Sequence, residues 1–259
     1  MKEEELETMR KSFDTVKNRS SKLESSKIER LEKRVKEIAE NSINNMDSLR
    51  EIAIDSFKRN GIDVFCAEDA RECQNIIYDL VKDSNSKAIA KAKSNTLGEI
   101  NLKPFLADKG FDVVETDLGD RILQLKKTDN KPVHPTGPAS HLNVGEITDI
   151  VNESMDVDVD PVPREIMEVV REDVLDRIEN CTVGISGANV IAAEEGAVLL
   201  VHNEGNISLV SLKDLHIIVA GIDKIVPSLE DAISIAKLET VYATGNYLTS
   251  FWSFKNCRY

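Results

Sequence analysis

Two lysines and a serine follow a short apolar segment in the first half of the chain. Lys91, Lys93 and Ser94 come directly after Lys87–Ala90, a run typical of a buried β-strand. In open α/β sheets, ligands bind beyond the carboxyl ends of the strands. Two ammonium groups and a hydroxyl at such a place suit a carboxylate or a phosphate. We therefore predict that these three residues bind an anionic substrate; the alternative is an ordinary solvated strand end.

Two histidines flank a loop that prolines make stiff. His134 and His141 bracket a segment that contains Pro135 and Pro138. An imidazole titrates near neutral pH, so histidines on a rigid loop can act as acid or base. The sequence places no third ligand beside them, so we predict catalysis or ligand contact rather than a metal site. The alternative for His141 is that it caps the helix that follows.

Two glutamates precede a glycine between apolar strands. Glu194, Glu195 and Gly196 stand at this turn. A carboxylate there would be partly desolvated, which raises its pKa and makes it useful as a base or a nucleophile. We therefore predict Glu194 and Glu195 as catalytic residues and Gly196 as a substrate contact; a plain hairpin turn is the alternative.

Two glycine-containing turns offer backbone and side-chain amides to a ligand. The first turn, at residues 186–189, is not a nucleophile elbow, because Ala188 stands where G-x-S-x-G needs its second glycine. The glycine motifs of nucleotide-binding loops do not occur in the sequence either. The second turn, at residues 203–206, contains Gly and Asn, which favour positive φ angles. The predicted substrate contacts in these turns are Gly187, Asn189, Asn203, Glu204, Gly205 and Asn206.

Helices and strands must bring these residues together, and apolar periodicity predicts them. Residues 1–60 form a predicted N-terminal helical extension, because apolar residues recur there every three or four positions. From residue 61, short strands alternate with helices, which predicts an α/β fold: a mostly parallel twisted sheet with helices on both faces. Strands are predicted at Ile62–Phe65, Lys87–Ala90, Phe111–Val114, Arg121–Leu125, Thr182–Ile185, Val190–Ala193, Ala197–His202, Ile207–Val210 and His216–Ala220.

Capping residues predict where the remaining helices begin. Thr96 and Glu99 form a capping-box pattern, and Ser228 with Asp231 forms another cap pair. The stretch Lys131–His141 is rich in Pro and Gly and predicts a loop. The predicted helices are Glu68–Val81, Thr96–Lys109, Asn143–Asn152, Arg164–Glu179 and one that begins at Pro227–Ser228.

Composition excludes several classes of function. The formal net charge is -13, whereas nucleic acids and anionic membrane surfaces attract basic proteins. No apolar run approaches the roughly 20 residues that span a bilayer, and the charged segment Met1–Glu5 is unlike a signal peptide. We therefore expect a cytoplasmic protein. The 4 cysteines form no C-x-x-C pair, so we expect neither a metal site nor an iron–sulfur cluster in this chain.

Several sequence blocks follow one another in a characteristic order: Lys91–Ser94 with Glu99–Ile100, Gly110–Gly119, His134–His141 with Glu146–Ile147, Gly187–Asn189, Ala193–Gly196, Asn203–Asn206, His216–Ile217 and Gly221–Pro227. This order resembles the lactate-utilisation (LUD) domain family, and in particular its larger iron–sulfur subunit type, the LutB type. The resemblance runs from about Ile28 to Phe251. Asn95 and Glu195 depart from the family pattern, which usually has Met and Thr at those positions.

The resemblance implies a NagB/RpiA/CoA-transferase-like domain over residues 61–251, with residues 252–259 as an atypical tail. It also implies a component of a system that oxidises L-lactate to pyruvate, in which Lys91 and Lys93 would hold the carboxylate and a histidine or Glu194 would handle a proton. Relatives of this type continue into a ferredoxin-like region that this sequence does not contain. Truncation, a frameshift or a separately encoded partner would each explain this difference. We expect the iron–sulfur clusters in relatives or on a ferredoxin-like partner subunit, and a small carboxylate as substrate.

Two other classes of function stay open at this point. One is a non-catalytic assembly module whose N-terminal helix joins it to other subunits. The other is a CoA-transferase-like acyl-transfer enzyme that uses Glu194 or Glu195. An acyl adduct on either glutamate would favour the transferase, and binding to partners without a ligand would favour the module. Activity that needs an iron–sulfur partner would favour the lactate-oxidising component.

Overall fold

The computed structural model describes residues 3–85, 87–126, 132, 137–202, 205–247 and 250–254. Its helices are α1 (Glu3–Ser20), α2 (Ser25–Asn44), α3 (Met46–Arg59), α4 (Ala70–Val81), α5 (Asn95–Glu99), α6 (Leu102–Asp108), α7 (Leu118–Leu125), α8 (Val144–Met155), α9 (Pro163–Ile178), α10 (Asn206–Ser211) and α11 (Leu229–Thr244). Its strands are β1 (Ala88–Lys91), β2 (Asp112–Glu115), β3 (Val183–Gly187), β4 (Val190–Ala192), β5 (Ala197–His202), β6 (Leu215–Val219), β7 (Ile225–Val226) and β8 (Ser250–Phe254).

The described part of the predicted N-terminal extension is helical, as its apolar spacing requires. The three helices α1 to α3 follow one another, and Asn45, with a φ of -121°, separates α2 from α3. Leu49, Ala53 and Phe57 of α3 are buried in the same apolar cluster as residues of the strands. This helix is therefore part of the central core, and the domain boundary at residue 60 stays a prediction.

Four strands form a parallel sheet in the order β2-β1-β3-β6. Ile89 and Val113 pack against α4, α5 and α6 on one face, whereas Ala90 and Val114 belong to the cluster with α3, α9 and α10 on the other. This arrangement confirms the predicted α/β class with helices on both faces. The narrower NagB/RpiA/CoA-transferase-like assignment stays a prediction. Because the strands are parallel, their carboxyl ends share one edge of the sheet.

A second sheet, with the order β7-β4-β5-β8, mixes parallel and antiparallel pairs and was not predicted as a separate sheet. Its β4–β5 hairpin turns at Gly196, which has a φ of +59°. A Cβ at this position would lie 2.7 Å from the backbone carbon of Ser56. The glycine thus permits both the turn and its close packing on α3. The predicted tail from residue 252 coincides in part with β8, which pairs with β5.

Two of the strands predicted in the first half of the chain are wrong. Residues 62–65 are irregular, although Ile62 and Val64 pack against the core. Their alternation therefore reflects burial of side chains without pairing to a neighbouring strand. The predicted strand Arg121–Leu125 belongs to α7, because Asp117 caps this helix by accepting a hydrogen bond from the Asp120 amide at 3.1 Å.

The strand predicted at Ile207–Val210 is also wrong, since these residues lie in α10. A short apolar run fits either structure, and tertiary packing decides between them. Gly184 of β3 makes the helix possible at this place. A Cβ on Gly184 would collide with the carbonyl group of Val210.

The helix predicted from Thr96 to Lys109 is two helices with a different cap. Ser94 caps α5, because its hydroxyl accepts a hydrogen bond from the Leu97 amide at 3.3 Å. Asn101, in the left-handed conformation at a φ of 49°, separates α5 from α6. The capping box predicted at Thr96 and Glu99 is therefore wrong.

Candidate functional site

The carboxyl end of β1 places Lys91 beside Glu115 of β2. The two residues are register partners, and Lys91 Nζ lies 2.8 Å from Glu115 Oε2. Both side chains are buried, with 7% and 6% of their surface exposed. Lys103 of α6 approaches the other carboxylate oxygen at 3.5 Å. Because a charge removed from water needs a partner of opposite charge, Glu115 already satisfies Lys91 in the free protein.

Lys93 and Asp120 lie within electrostatic range of each other, yet they form no ion pair. Both are half-buried, and Asp120 sits in the first turn of α7. In the described part of the chain, the Asp120 carboxylate has neither a hydrogen bond nor an ion pair. Burial, followed by the charges of Glu115 and Asp117, raises the pKa of Asp120 to about 6, while Lys91 and Lys93 oppose the rise. This carboxyl group can therefore change its protonation state near neutral pH.

Ser94 and Gly187 meet where β1 and β3 end. A Cβ on Gly187 would lie 2.9 Å from Ser94 Cβ and still closer to Ser94 Oγ. The glycine therefore gives Ser94 room to approach β3 while its hydroxyl caps α5. Ser94 and Gly187, which the sequence predicts separately as substrate contacts, are thus brought together.

These residues form one polar group at the carboxyl edge of the parallel sheet, where ligands bind in folds of this class. The predicted proline loop borders it, because a Cβ on Gly119 would lie 3.1 Å from Cγ of Pro138. We call this group the edge cluster: Lys91, Lys93, Ser94, Lys103, Glu115, Asp117, Asp120 and Gly187.

Of the two predicted histidines, His141 is described and His134 lies outside the described residues. His141 is 4% exposed, and its Nδ1 has no hydrogen-bond partner among the residues that the structure describes. Burial and then Lys126 lower its pKa. Asn143, and not His141, caps α8 through a capping box with Glu146, so the alternative role of His141 as a cap is wrong.

The acidic turn has partners of its own, away from the edge cluster. Asn60 of α3 donates to the carbonyl of Glu195 at 2.8 Å, and Glu195 Oε2 accepts from the Leu229 amide at 2.9 Å, in the first turn of α11. Glu194 is exposed and Glu195 is half-buried, so the partial burial expected for a carboxylate of this turn applies to Glu195 and not to Glu194. Among the described residues, neither Lys91 nor Lys93 forms a hydrogen bond or an ion pair with this turn. The catalytic roles of Glu194 and Glu195 stay predictions that this geometry does not favour.

The remaining predicted contacts serve local structure where they are described. Asn189 donates to Glu239 at 2.8 Å and accepts from the Val201 amide at 2.9 Å. Burial raises the pKa of Glu239, against the effect of that hydrogen bond. Gly205, at a φ of +78°, precedes α10, and Asn206 accepts from the Ile207 amide. Asn203 and Glu204 lie outside the described residues.

Reasoning from the sequence missed the carboxylates of the edge cluster and a second polar pair. Ser186 Oγ lies 2.8 Å from His216 Nε2, and Ser186 is fully buried. Burial lowers the pKa of His216 to about 4, so the imidazole is neutral at physiological pH. The spacing of Asp117 and Asp120 fits the N-cap and third position of a helix, and Asp117 also lies in the family block Gly110–Gly119.

Within the described ranges, His, Cys, Asp and Glu side chains form no group that could hold a metal ion. Cys66 is exposed, Cys73 is half-buried and Cys181 is buried, and Cys257 lies outside these ranges. The described cysteines therefore do not fit an iron–sulfur cluster, which needs several thiolates together. The helices of the described structure include none that is long and apolar enough to cross a membrane.

Comparison with known proteins identifies the family. The profile of the LUD domain matches residues 50–256. Lactate utilization protein B of Bacillus velezensis is 36% identical over 216 residues, which cover 83% of this chain and 45% of that protein. The proteins of the same name from Bacillus subtilis and Macrococcus caseolyticus are 37% and 33% identical, with the same shares covered.

The chain thus spans just under half the length of these curated relatives. No solved structure matches it. The profile match covers most of the chain, including the parallel sheet and the edge cluster. The protein is therefore a member of the LUD domain family.

Proposed function

We propose that this chain is a component of a lactate utilisation system and that its edge cluster binds a small 2-hydroxy acid. One observation carries the proposal. Lys93 and Asp120 offer a cation and a carboxyl group on the same edge of the sheet, without an ion pair between them. The names of the relatives supply the substrate class.

In this proposal Lys91, at the end of β1, and Lys93, just after it, have different roles. Lys91 compensates Glu115, so the buried carboxylate does not repel an incoming anion. Lys93 has no ion pair among the described residues, and it binds the carboxylate of the substrate. Ser94 stands next to Lys93 and offers a hydroxyl as a second donor.

Oxidation of lactate to pyruvate releases two electrons and two protons, so the system needs an electron acceptor. We assign that role to a ferredoxin-like partner with iron–sulfur clusters, as the resemblance to the LutB type implies. The described cysteines of this chain do not form a cluster site, which supports placing the clusters on the partner. This chain contributes the substrate side of the complex.

A second function, a non-catalytic assembly module, has one observation in its favour. The apolar positions Leu6, Met9, Phe13 and Val16 of α1 are all half-buried, so this chain covers them only in part. The acyl-transfer alternative has no comparable support, because Glu194 is exposed and Glu195 is engaged with α11.

Isothermal titration calorimetry of the purified chain with L-lactate and pyruvate tests the binding proposal. The variant Lys93→Gln should weaken binding roughly ten- to hundredfold, because a hydrogen bond to a charged group contributes about 1.5–3 kcal/mol. Lys36→Gln is the matched control, since Lys36 lies on α2 with 77% of its side chain exposed, and it should bind like the wild type. Absence of binding to either acid by the wild type would overturn the proposal and favour the assembly module.

A further inference from the structure

We infer that Asp120 recognises the oxygen on C2 of the bound acid: it takes up a proton when the acid binds and donates a hydrogen bond to that oxygen. This inference rests on the proposed function of the edge cluster. It deepens that function by naming the residue that distinguishes 2-hydroxy and 2-oxo acids from simple carboxylates.

The position of Asp120 in α7 leaves its carboxyl group available. Asp117 is the N-cap residue, so Asp120 occupies the third helical position, and its amide donates to Asp117 Oδ1. At this position an acidic side chain often reaches back to the N-cap amide. Asp120 makes no such bond, and its half-buried carboxylate has no donor within the described structure. A half-buried carboxyl group that bonds to no other group of the described chain is available to a ligand atom.

Four charged groups act on Asp120, from β2, from the residue before α7 and from the end of β1. Glu115 of β2 and Asp117 before α7 disfavour its ionised form, while Lys91 and Lys93 from the β1 segment favour it. Lys103 of α6 acts through its ion pair with Glu115. Both protonation states are therefore accessible near neutral pH, since the pKa of Asp120 is raised to about 6.

Binding of an anion shifts this balance in one direction. The carboxylate of the ligand adds a negative charge beside Asp120 and pairs with Lys93, so the pKa of Asp120 rises further. A proton therefore moves from solvent to Asp120 on binding above about pH 6. The protonated carboxyl group then has one O–H to donate, and the oxygen on C2 of lactate or pyruvate can accept it. Propionate has the same chain length and lacks this oxygen.

Two features of binding follow from this linkage. The affinity for pyruvate should fall as the pH rises from 6 to 8, by up to tenfold per pH unit, because the required proton becomes harder to recruit. Propionate should bind at least tenfold more weakly than pyruvate, because it leaves the half-buried O–H of Asp120 without a ligand partner.

The test is calorimetry with L-lactate, pyruvate and propionate in buffers of different ionisation enthalpy, from pH 6 to 8. For the wild type we expect uptake of close to one proton with pyruvate at pH 7.5. Asp120→Asn keeps a neutral donor of similar shape, so it should bind pyruvate with no proton uptake and with an affinity that does not change over this range. Circular dichroism establishes that the variant is folded.

The outcomes separate this inference from the proposed function. If the wild type binds pyruvate without proton uptake, or if Asp120→Asn retains the uptake, the role of Asp120 is wrong while the binding site stands. If propionate binds as tightly as pyruvate, recognition of the C2 oxygen is wrong in the same way. If the wild type binds none of the three acids, both proposals fail.

Discussion

Replacing Glu115 by Gln should destabilise the fold strongly, because it leaves the charge of Lys91 buried without a countercharge. Lys91 has only 7% of its side chain exposed, so it cannot turn to solvent without moving β1. Loss of one partner from a buried ion pair costs about 3–5 kcal/mol. Lys103 adds little to this cost, since it is 35% exposed. The Gln amide oxygen still accepts a hydrogen bond from Lys91, so we expect a loss near the lower limit, about 3 kcal/mol.

Urea unfolding followed by circular dichroism measures this loss as a change in the free energy of unfolding. The double variant Lys91→Met with Glu115→Gln should recover at least half of it, because the uncompensated charge is gone. Glu168→Gln is the control: it breaks an exposed pair, in which Arg164 and Glu168 are 87% and 60% exposed, and should change stability very little. The reasoning is refuted if Glu115→Gln is as stable as this control, or if the double variant is no more stable than the single one.

Two further predictions test the packing and the electrostatics of the edge cluster. Gly187→Ala should destabilise the protein by about 1–3 kcal/mol, because the new Cβ meets the side chain of Ser94. Gly98→Ala is the control and should be neutral or stabilising, since a Cβ there meets nothing within 4 Å. Equal losses of stability in urea unfolding would contradict the close approach of Ser94 to Gly187. Asp120 has a higher pKa in the folded state than in the unfolded chain, so its stabilising contribution is present below pH 4 and is lost as the pH rises through about 6. Asp120→Asn stays neutral at every pH. After allowance for partial exposure, its free energy of unfolding should therefore exceed that of the wild type by about 2 kcal/mol at pH 7.5 and equal it near pH 3.5. A difference in unfolding free energy that does not change with pH would contradict this prediction.

The secondary structure that periodicity predicts well is the part that local patterns determine. The strands β1 and β3 are short apolar runs bounded by polar residues or glycine, and they are found within a residue or two of their predicted positions. The start of α11 was predicted from Ser228 and Asp231, whose capping hydrogen bond is present. These signals need no knowledge of the rest of the chain, because a cap or an alternating run is satisfied by near neighbours.

The errors occur where a distant segment decides the local structure. Ile207–Val210 is helical because Gly184, more than twenty residues earlier, leaves room for it. Residues 121–125 join a helix whose Gln124 bonds to the outer edge of β2, donating to the Val113 carbonyl and accepting from the Glu115 amide. The Gln124 side chain thus hydrogen-bonds to backbone groups of the edge strand β2 that a neighbouring strand would otherwise pair with. Neither contact can be read from an apolar pattern.

The sequence selects some residues of the edge cluster and misses its carboxylates. Lys93, Ser94 and Gly187 were selected because they follow strands, and the parallel sheet gathers strand ends at one edge. The pairing of Lys91 with Glu115 depends on strand register, which a single sequence does not fix. The raised pKa of Asp120 depends on burial among Glu115 and Asp117, which only the folded chain establishes.

Charge balance links these observations to the choice of ligand. With every group ionised, the three ammonium groups of the edge cluster balance three carboxylates: Lys91, Lys93 and Lys103 against Glu115, Asp117 and Asp120. The edge cluster is then neutral on a chain whose net charge is -13, so an anion meets less repulsion there than elsewhere on the surface. A bound carboxylate leaves one negative charge in excess, and one proton restores neutrality. Because burial and the neighbouring carboxylates raise the pKa of Asp120, we expect that proton to go to Asp120, which the proposed function places beside the substrate.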